Sequence, residues 1–181
     1  MRLLDYIKGC GIDVESSGGE FSLADGNTAE LLINPETTEF CVAENQNESV
    51  VVLHTSADNT AKLSFDVGPC GKLNLVEVFL AGAFAECNIR QQAGSVCDIT
   101  SIVVADTIAD YTIDLNGKQA SNVLRSAFVV ADKERTRVNV RVNDSFSDWT
   151  SDSLVKGVAA GEAVGEFNAL VHVAPDGKRT D

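Results

Sequence analysis

From Pro35 onward the chain offers a strand-forming run roughly every ten residues, and no apolar periodicity long enough for a helix. The runs are Glu39–Ala43, Ser49–His54, Lys62–Val67, Leu73–Leu80, Ala85–Arg90, Val96–Val104, Thr107–Leu115, Val123–Ala131, Thr136–Val142, Leu154–Ala159 and Glu166–Val173. Between them stand Asn45-Gln46-Asn47, Asp58-Asn59, Gly68-Pro69, Gly94, Asn116-Gly117, Asp132-Lys133 and Asn143-Asp144. Such residues tolerate positive φ or hydrogen-bond their own backbone, so they read as turns. A chain punctuated this often leaves a sandwich, a barrel or a β-helix.

Alternation narrows the choice. Lys62-Leu63-Ser64-Phe65-Asp66-Val67 and Arg137-Val138-Asn139-Val140-Arg141-Val142 alternate cleanly, one face buried and the other wet. Aromatic residues make up only 6% of the chain, and Trp149 lies in a turn-rich stretch, whereas a sandwich usually pins its sheets with a large ring. Small and β-branched residues stacked in ladders suit a β-helix, in which each coil buries its inward face against its neighbours. No strict repeat can be aligned, so on texture alone the sandwich stays open. In the last third Gly157, Gly161 and Gly165 interrupt the apolar residues. They are expected at corners of positive φ or where two backbones come close.

Residues 1–35 read differently. Arg2 to Lys8 carries Leu3, Leu4 and Ile7 at helical spacing and is closed by Gly9, a single short helix or cap. Gly11 to Pro35 is rich in Gly, Ser, Asp and Asn, with apolar pieces at Phe21–Leu23 and Leu31–Ile33, and reads as a loosely ordered lead-in or as the first, irregular coil. The expected organisation is an irregular lead-in over 1–35 and a β-helix core over 36–181. The first residues are too short and too charged for a signal peptide, and no 18-residue apolar run exists for a membrane helix, so a cytoplasmic protein is expected. A formal charge of −13 argues against nucleic acid or an anionic membrane as partner. The one locally basic stretch, Lys133 to Arg137 with Arg141, is interrupted by Glu134 and reads as a solvated turn and strand face.

Chemistry-bearing residues are sparse. His54 and His172 lie inside strand patterns and are read as facing solvent. The five cysteines, Cys10, Cys41, Cys70, Cys87 and Cys97, form no C-x-x-C pair and suggest neither disulfides nor zinc. Cys87 and Cys97, on adjacent strand runs, could sit together and present thiolates to iron. Their alternation with Ala85, Ile89, Val96 and Ile99 favours core packing instead. Asp98, Asp110 and Asp114 fall in or beside consecutive runs, as acid/base pairs or calcium ligands do in β-helical polysaccharide lyases, but solvated strand faces explain them more simply. Gly68 to Leu73 lacks the spacing of a phosphate loop and no helix follows it. No catalytic, cofactor-binding or metal-binding residue is assigned.

One segment carries a family resemblance. Ser151-Asp152, Leu154, Lys156-Gly157-Val158, Gly161, Ala163, Gly165, Phe167-Asn168, Val171, Val173-Ala174-Pro175 and Thr180-Asp181 resemble the signature of the SufB/SufD family, scaffolds of the Suf iron–sulfur cluster assembly machinery. Ala169 stands where the family usually has glycine and Asp176-Gly177 replaces a small-residue pair, neither of which threatens the fold. The resemblance implies an all-β, single-stranded right-handed parallel β-helix with minimal helix, and a non-catalytic, SufD-like scaffold. It implies a SufB-like partner and a SufC-like ABC ATPase, docked in the family by a helical C-terminal domain. No resident cofactor is implied, the iron–sulfur cluster belonging to the assembled complex. Because the run stops at Asp181, the expectation is that this chain alone does not bind the ATPase and that an exposed last coil pairs with a second copy as a homodimer. The alternatives are a β-helical carbohydrate-active enzyme or a structural β-helix polymer.

Overall fold

In the computed structural model, residues 18–22, 28–146 and 148–174 are described. They form thirteen strands: β1 (Gly18–Ser22), β2 (Thr28–Ile33), β3 (Thr37–Val42), β4 (Asn47–His54), β5 (Asn59–Val67), β6 (Lys72–Phe79), β7 (Ala83–Gln91), β8 (Val96–Val103), β9 (Thr107–Leu115), β10 (Ser121–Val130), β11 (Arg135–Asp144), β12 (Thr150–Ala159) and β13 (Val164–His172). All eleven expected runs after Pro35 are strands. The short helix expected over Arg2 to Lys8 lies outside the described residues.

Even-numbered strands stack in one sheet in the order β2-β4-β6-β8-β10-β12, and odd-numbered strands in a second, β3-β5-β7-β9-β11-β13. These pairings are parallel, and β1 alone is antiparallel, lying against β2 at the edge of the even sheet. The fold is therefore a parallel β-helix whose turn has two sides, one strand in each sheet. Val50 pairs with Leu75, Leu75 with Ile99 and Ile99 with Leu124, steps of 25, 24 and 25 residues. The next step, Leu124 to Ser153, is 29. β2 stacks on β4, so the first coil begins ahead of Pro35, inside the segment read as lead-in. Among the described residues no helix is long and apolar enough to cross a membrane.

Alternation places every second residue in a flat core between the sheets. Val50, Leu75, Ile99 and Leu124 form one buried column, and Phe65, Ile89, Ile113 and Val142 another on the facing sheet. Each such side chain contributes about 1.5–3 kcal/mol by leaving water. Trp149, placed by the sequence in a turn-rich stretch, is also buried against this core.

Corners form columns of their own. Asn45, Cys70, Gly94, Gln119 and Asp148 all have positive φ, between 54° and 68°. The backbone N–H of Asn45 donates to Pro69, that of Cys70 to Ala93 and that of Gly94 to Lys118, so the corners are hydrogen-bonded coil to coil like the strands. Of the three late glycines only Gly161 is such a corner, at φ 70°. Gly157 and Gly165 lie in β12 and β13, where a Cβ would come within 1.9 and 2.2 Å of the Phe128 ring. They leave room for a side chain, where a corner or a close backbone was expected.

Candidate functional site

Inside the apolar core lies a connected set of polar side chains. In β6 the alternation Leu73, Leu75, Glu77, Phe79 sends Glu77 inward, and in β4 the series Val50, Val52, His54 does the same for His54. Both are fully buried. His54 Nε2 is 2.9 Å from Glu77 Oε1, and Tyr111 O–H donates to Glu77 Oε2 at 2.6 Å. Asn59 Nδ2 donates to the Pro35 carbonyl, so its Oδ1 is left to accept from His54 Nδ1–H, 2.6 Å away. With Nδ1 turned to Asn59, Nε2 is the ring nitrogen that faces Glu77. The His54 ring stacks on Phe79, centroids 4.3 Å apart. The bonds to Asn59 and Tyr111 offset part of the desolvation cost of this fully buried pair.

Cys87 and Tyr111 share this part of the core. Burial pushes the Cys87 thiol well up, with the Glu77 charge adding to it. Burial likewise raises the Tyr111 hydroxyl, again helped by Glu77. Cys97 is pushed up to about 12 by burial. These thiols stay protonated, the state of a small hydrophobe rather than of a nucleophile or metal ligand. Among the described residues no group of three or more His, Cys, Asp or Glu side chains could hold a metal ion.

Several sequence readings change here. His54, read as facing solvent, is the centre of the buried set, while His172 is exposed at the end of β13. Cys87 and Cys97 are not stacked neighbours. Cys87 pairs with Leu63 and Tyr111 in the odd sheet, and Cys97 with Leu73 and Asn122 in the even one. Both are buried, whereas Cys41 and Cys70 are exposed. Asp98 takes Arg125 at 2.5 Å, Asp114 accepts from Asn143 at 2.7 Å, and Asp110 from Asn139. These carboxylates are therefore rungs of coil-to-coil ladders. In the basic stretch Arg137 is paired with Glu166 at 2.6 Å. Gly68 to Leu73 runs directly into β6, with no helix to receive a phosphate. Glu77, Tyr111 and Asn59 were missed, although the inward phase of Glu77 among Leu73, Leu75 and Phe79 was a signal.

A second feature lies at the far end of the stack. No described strand covers β12 and β13. The inward-pointing Phe167 and Val171 are exposed there, beside outward Leu154, Val158 and Leu170. Each of the two strands keeps one edge of backbone N–H and C=O groups unpaired within the sheets.

Residues 30–181 match the family described as SUF system FeS cluster assembly, SufBD core domain. The chain belongs to the SufBD family. No curated protein and no solved structure matches it. SufBD membership places the chain in iron–sulfur cluster assembly, and the parallel β-helix that the resemblance implied, where strand texture alone left a sandwich open, is the architecture observed. The SufBD match covers β3 to β13 in full, so it includes both the buried polar set and the uncovered last coil.

Proposed function

We propose that the chain is a non-catalytic, SufD-like scaffold of iron–sulfur cluster assembly, working through protein contacts made at its uncovered last coil. The observation that carries this reading is the SufBD core domain match over residues 30–181, and Phe167, Val171, Leu154 and Leu170, exposed at the edge of the described strands, supply an apolar contact surface. A side of that kind is completed by adding a strand of similar register. The occupant is a SufB-like partner or, in its absence, a second copy of this chain. The protein holds no resident cofactor, and the cluster forms only in the assembled complex. Energy comes from an ABC-type ATPase that engages the complex and not the β-helix itself.

The test is a pull-down of the 1–181 chain against the SufB-like protein and the ATPase of the same organism, with the mass in solution measured alongside. The expected result is capture of the SufB-like protein, no stoichiometric capture of the ATPase, and a dimeric mass for the chain alone at tens of micromolar. Replacing Phe167 and Leu170 by Asp should abolish both associations. A chain that stays monomeric and captures neither protein would remove the scaffold reading.

A further inference from the structure

The even sheet carries on its outer face a row of apolar side chains apart from the last-coil edge. Pairing of Phe79 with Val103, of Phe128 with Val103, and of Val129 with Val158 puts Leu80, Val104, Val129 and Val158 in one line, one residue per coil. They are 41, 41, 58 and 60% exposed. Ile102, also exposed, stands two residues before Val104 and widens the row. At about 4.8 Å per coil the four residues span about 14 Å. The corner that follows the row, two to five residues downstream on the last three of these coils, carries Asp106, Asp132, Glu134 and Glu162, with one cation, Lys133, 4.0 Å from Glu162 in an exposed pair. Asp106 accepts from the Arg135 backbone N–H and Glu134 from that of Ala131, so both carboxylates are held at the corner. On the other side the sheet carries Arg125 and Lys156.

We infer that this row is the docking surface for a short, basic amphipathic helix of a partner protein. A helix laid across the strands advances 5.4 Å per turn, close to the coil spacing, so apolar residues at i, i+3 or i+4, and i+7 meet successive coils. About ten to twelve residues cover the row. Its Lys and Arg residues fall along the acidic corner, on a chain whose formal charge is −13. Charge also argues against a second copy on this face. Face-to-face packing of two even sheets would bury the Arg125–Asp98 pair together with Lys156. The row takes only Val158 from the last coil and lies on the outer face of the even sheet, not on that coil's open edge.

The test uses a synthetic 14-residue peptide with Leu at positions 1, 4, 5, 8, 11 and 12 and Lys or Gln elsewhere, titrated against the full chain by fluorescence anisotropy. A control peptide has the same Lys residues and Gln in place of Leu. Expected is saturable one-to-one binding, weakened at least tenfold by Val104→Asp or Val129→Asp. Both side chains are exposed and neither belongs to β12 or β13, and circular dichroism checks that the fold is kept. Asp132→Asn with Glu162→Gln should flatten the salt dependence, while Lys156→Gln should leave affinity equal or higher. The inference is overturned by any of three results: no saturable binding at millimolar peptide, equal binding of the Gln control, or an affinity unchanged by Val129→Asp. It is also overturned if the chain alone forms a dimer that Val129→Asp dissolves, which would assign the row to a second copy.

Discussion

The closed coils and the last coil use the same inward positions with opposite results. Ala61, Ala85, Ala109 and Val138 are at most 1% exposed, yet Phe167, next in that column, is 41% exposed. Phe65, Ile89, Ile113 and Val142 reach 2% at most, and Val171 above them 52%. Direction and residue type are alike throughout. What differs is whether another coil lies above. In a β-helix, burial is conferred largely by the neighbour along the axis, so an inward side chain contributes little until that neighbour is present.

The most direct way to break this comparison is to truncate one residue at each place. Phe65→Ala opens a cavity in a closed coil and should cost about 3–5 kcal/mol. Phe167→Ala removes a ring that is already 41% exposed and leaves no closed cavity, so it should cost only about 1 kcal/mol in the isolated chain. Urea unfolding of the two variants measures the difference, and equal losses would mean the last coil is closed in solution.

The buried polar set sharpens the contrast, because only a closed coil makes an unpaired charge expensive. Glu77→Ala leaves His54 Nε2 and the Tyr111 hydroxyl without their partner and should cost about 3 kcal/mol. Glu77→Gln can accept from Tyr111 and donate to neutral His54, so its cost should be near 1 kcal/mol or less. If Gln is as damaging as Ala, the set requires the carboxylate charge itself.

Alkaline titration reads the same closed coils. Below about pH 9 the Cys97 thiol is protonated in both folded and unfolded chains and contributes no pH dependence. From there to about 12 the unfolded chain loses the proton while the folded one keeps it, so stability falls as pH rises. Cys87 and Tyr111, both raised, act in the same sense. Each thiol adds about 1.4 kcal/mol per pH unit to the slope. Urea midpoints between pH 8 and 10.5 should fall, and less steeply in Cys97→Ala.

A smaller effect sits at the boundary between the two regions. Gly157→Ala places a methyl group on the Phe128 ring, which packs against the core from the last closed coil. The expected cost is about 1–3 kcal/mol, and Phe128→Leu should relieve part of it. Additive losses in the double variant would show that ring and glycine do not meet.

Glycines such as these mark how far the fold was legible. Strand runs could be read because a half-buried strand alternates whichever strand it pairs with. Many corners could be read because Asn45, Asp58 and Gly94 tolerate left-handed backbone. The stacking offset could not, since any apolar residue satisfies an apolar column and the step changes from 24 or 25 to 29 residues midway. The room left for Phe128 was hidden for the same reason, Gly157 and Gly165 lying 29 and 37 residues away in sequence. His54 was misread because its polarity was given more weight than its phase with Val50 and Val52. Glu77 is legible by phase alone, but its partners come from β4 and from the facing sheet, which only the register brings together.

The smallest effect concerns a corner. Cys70 holds φ 54° in a column otherwise occupied by Asn45, Gly94, Gln119 and Asp148. An L-residue other than glycine is disfavoured there by about 1–2 kcal/mol, whereas the extra freedom of an unfolded glycine costs about 0.5–1 kcal/mol. Cys70→Gly should therefore stabilise the chain by about 0.5–1 kcal/mol, and the backbone bond from residue 70 to Ala93 is kept. Gly94→Ala runs the other way. It meets the left-handed penalty at φ 68°, and its Cβ would lie 3.2 Å from Cys70 Sγ. Joining the two substitutions separates the causes: if Cys70→Gly reduces the cost of Gly94→Ala, the contact along the column matters, and if the two simply add, the backbone conformation of each corner acts alone.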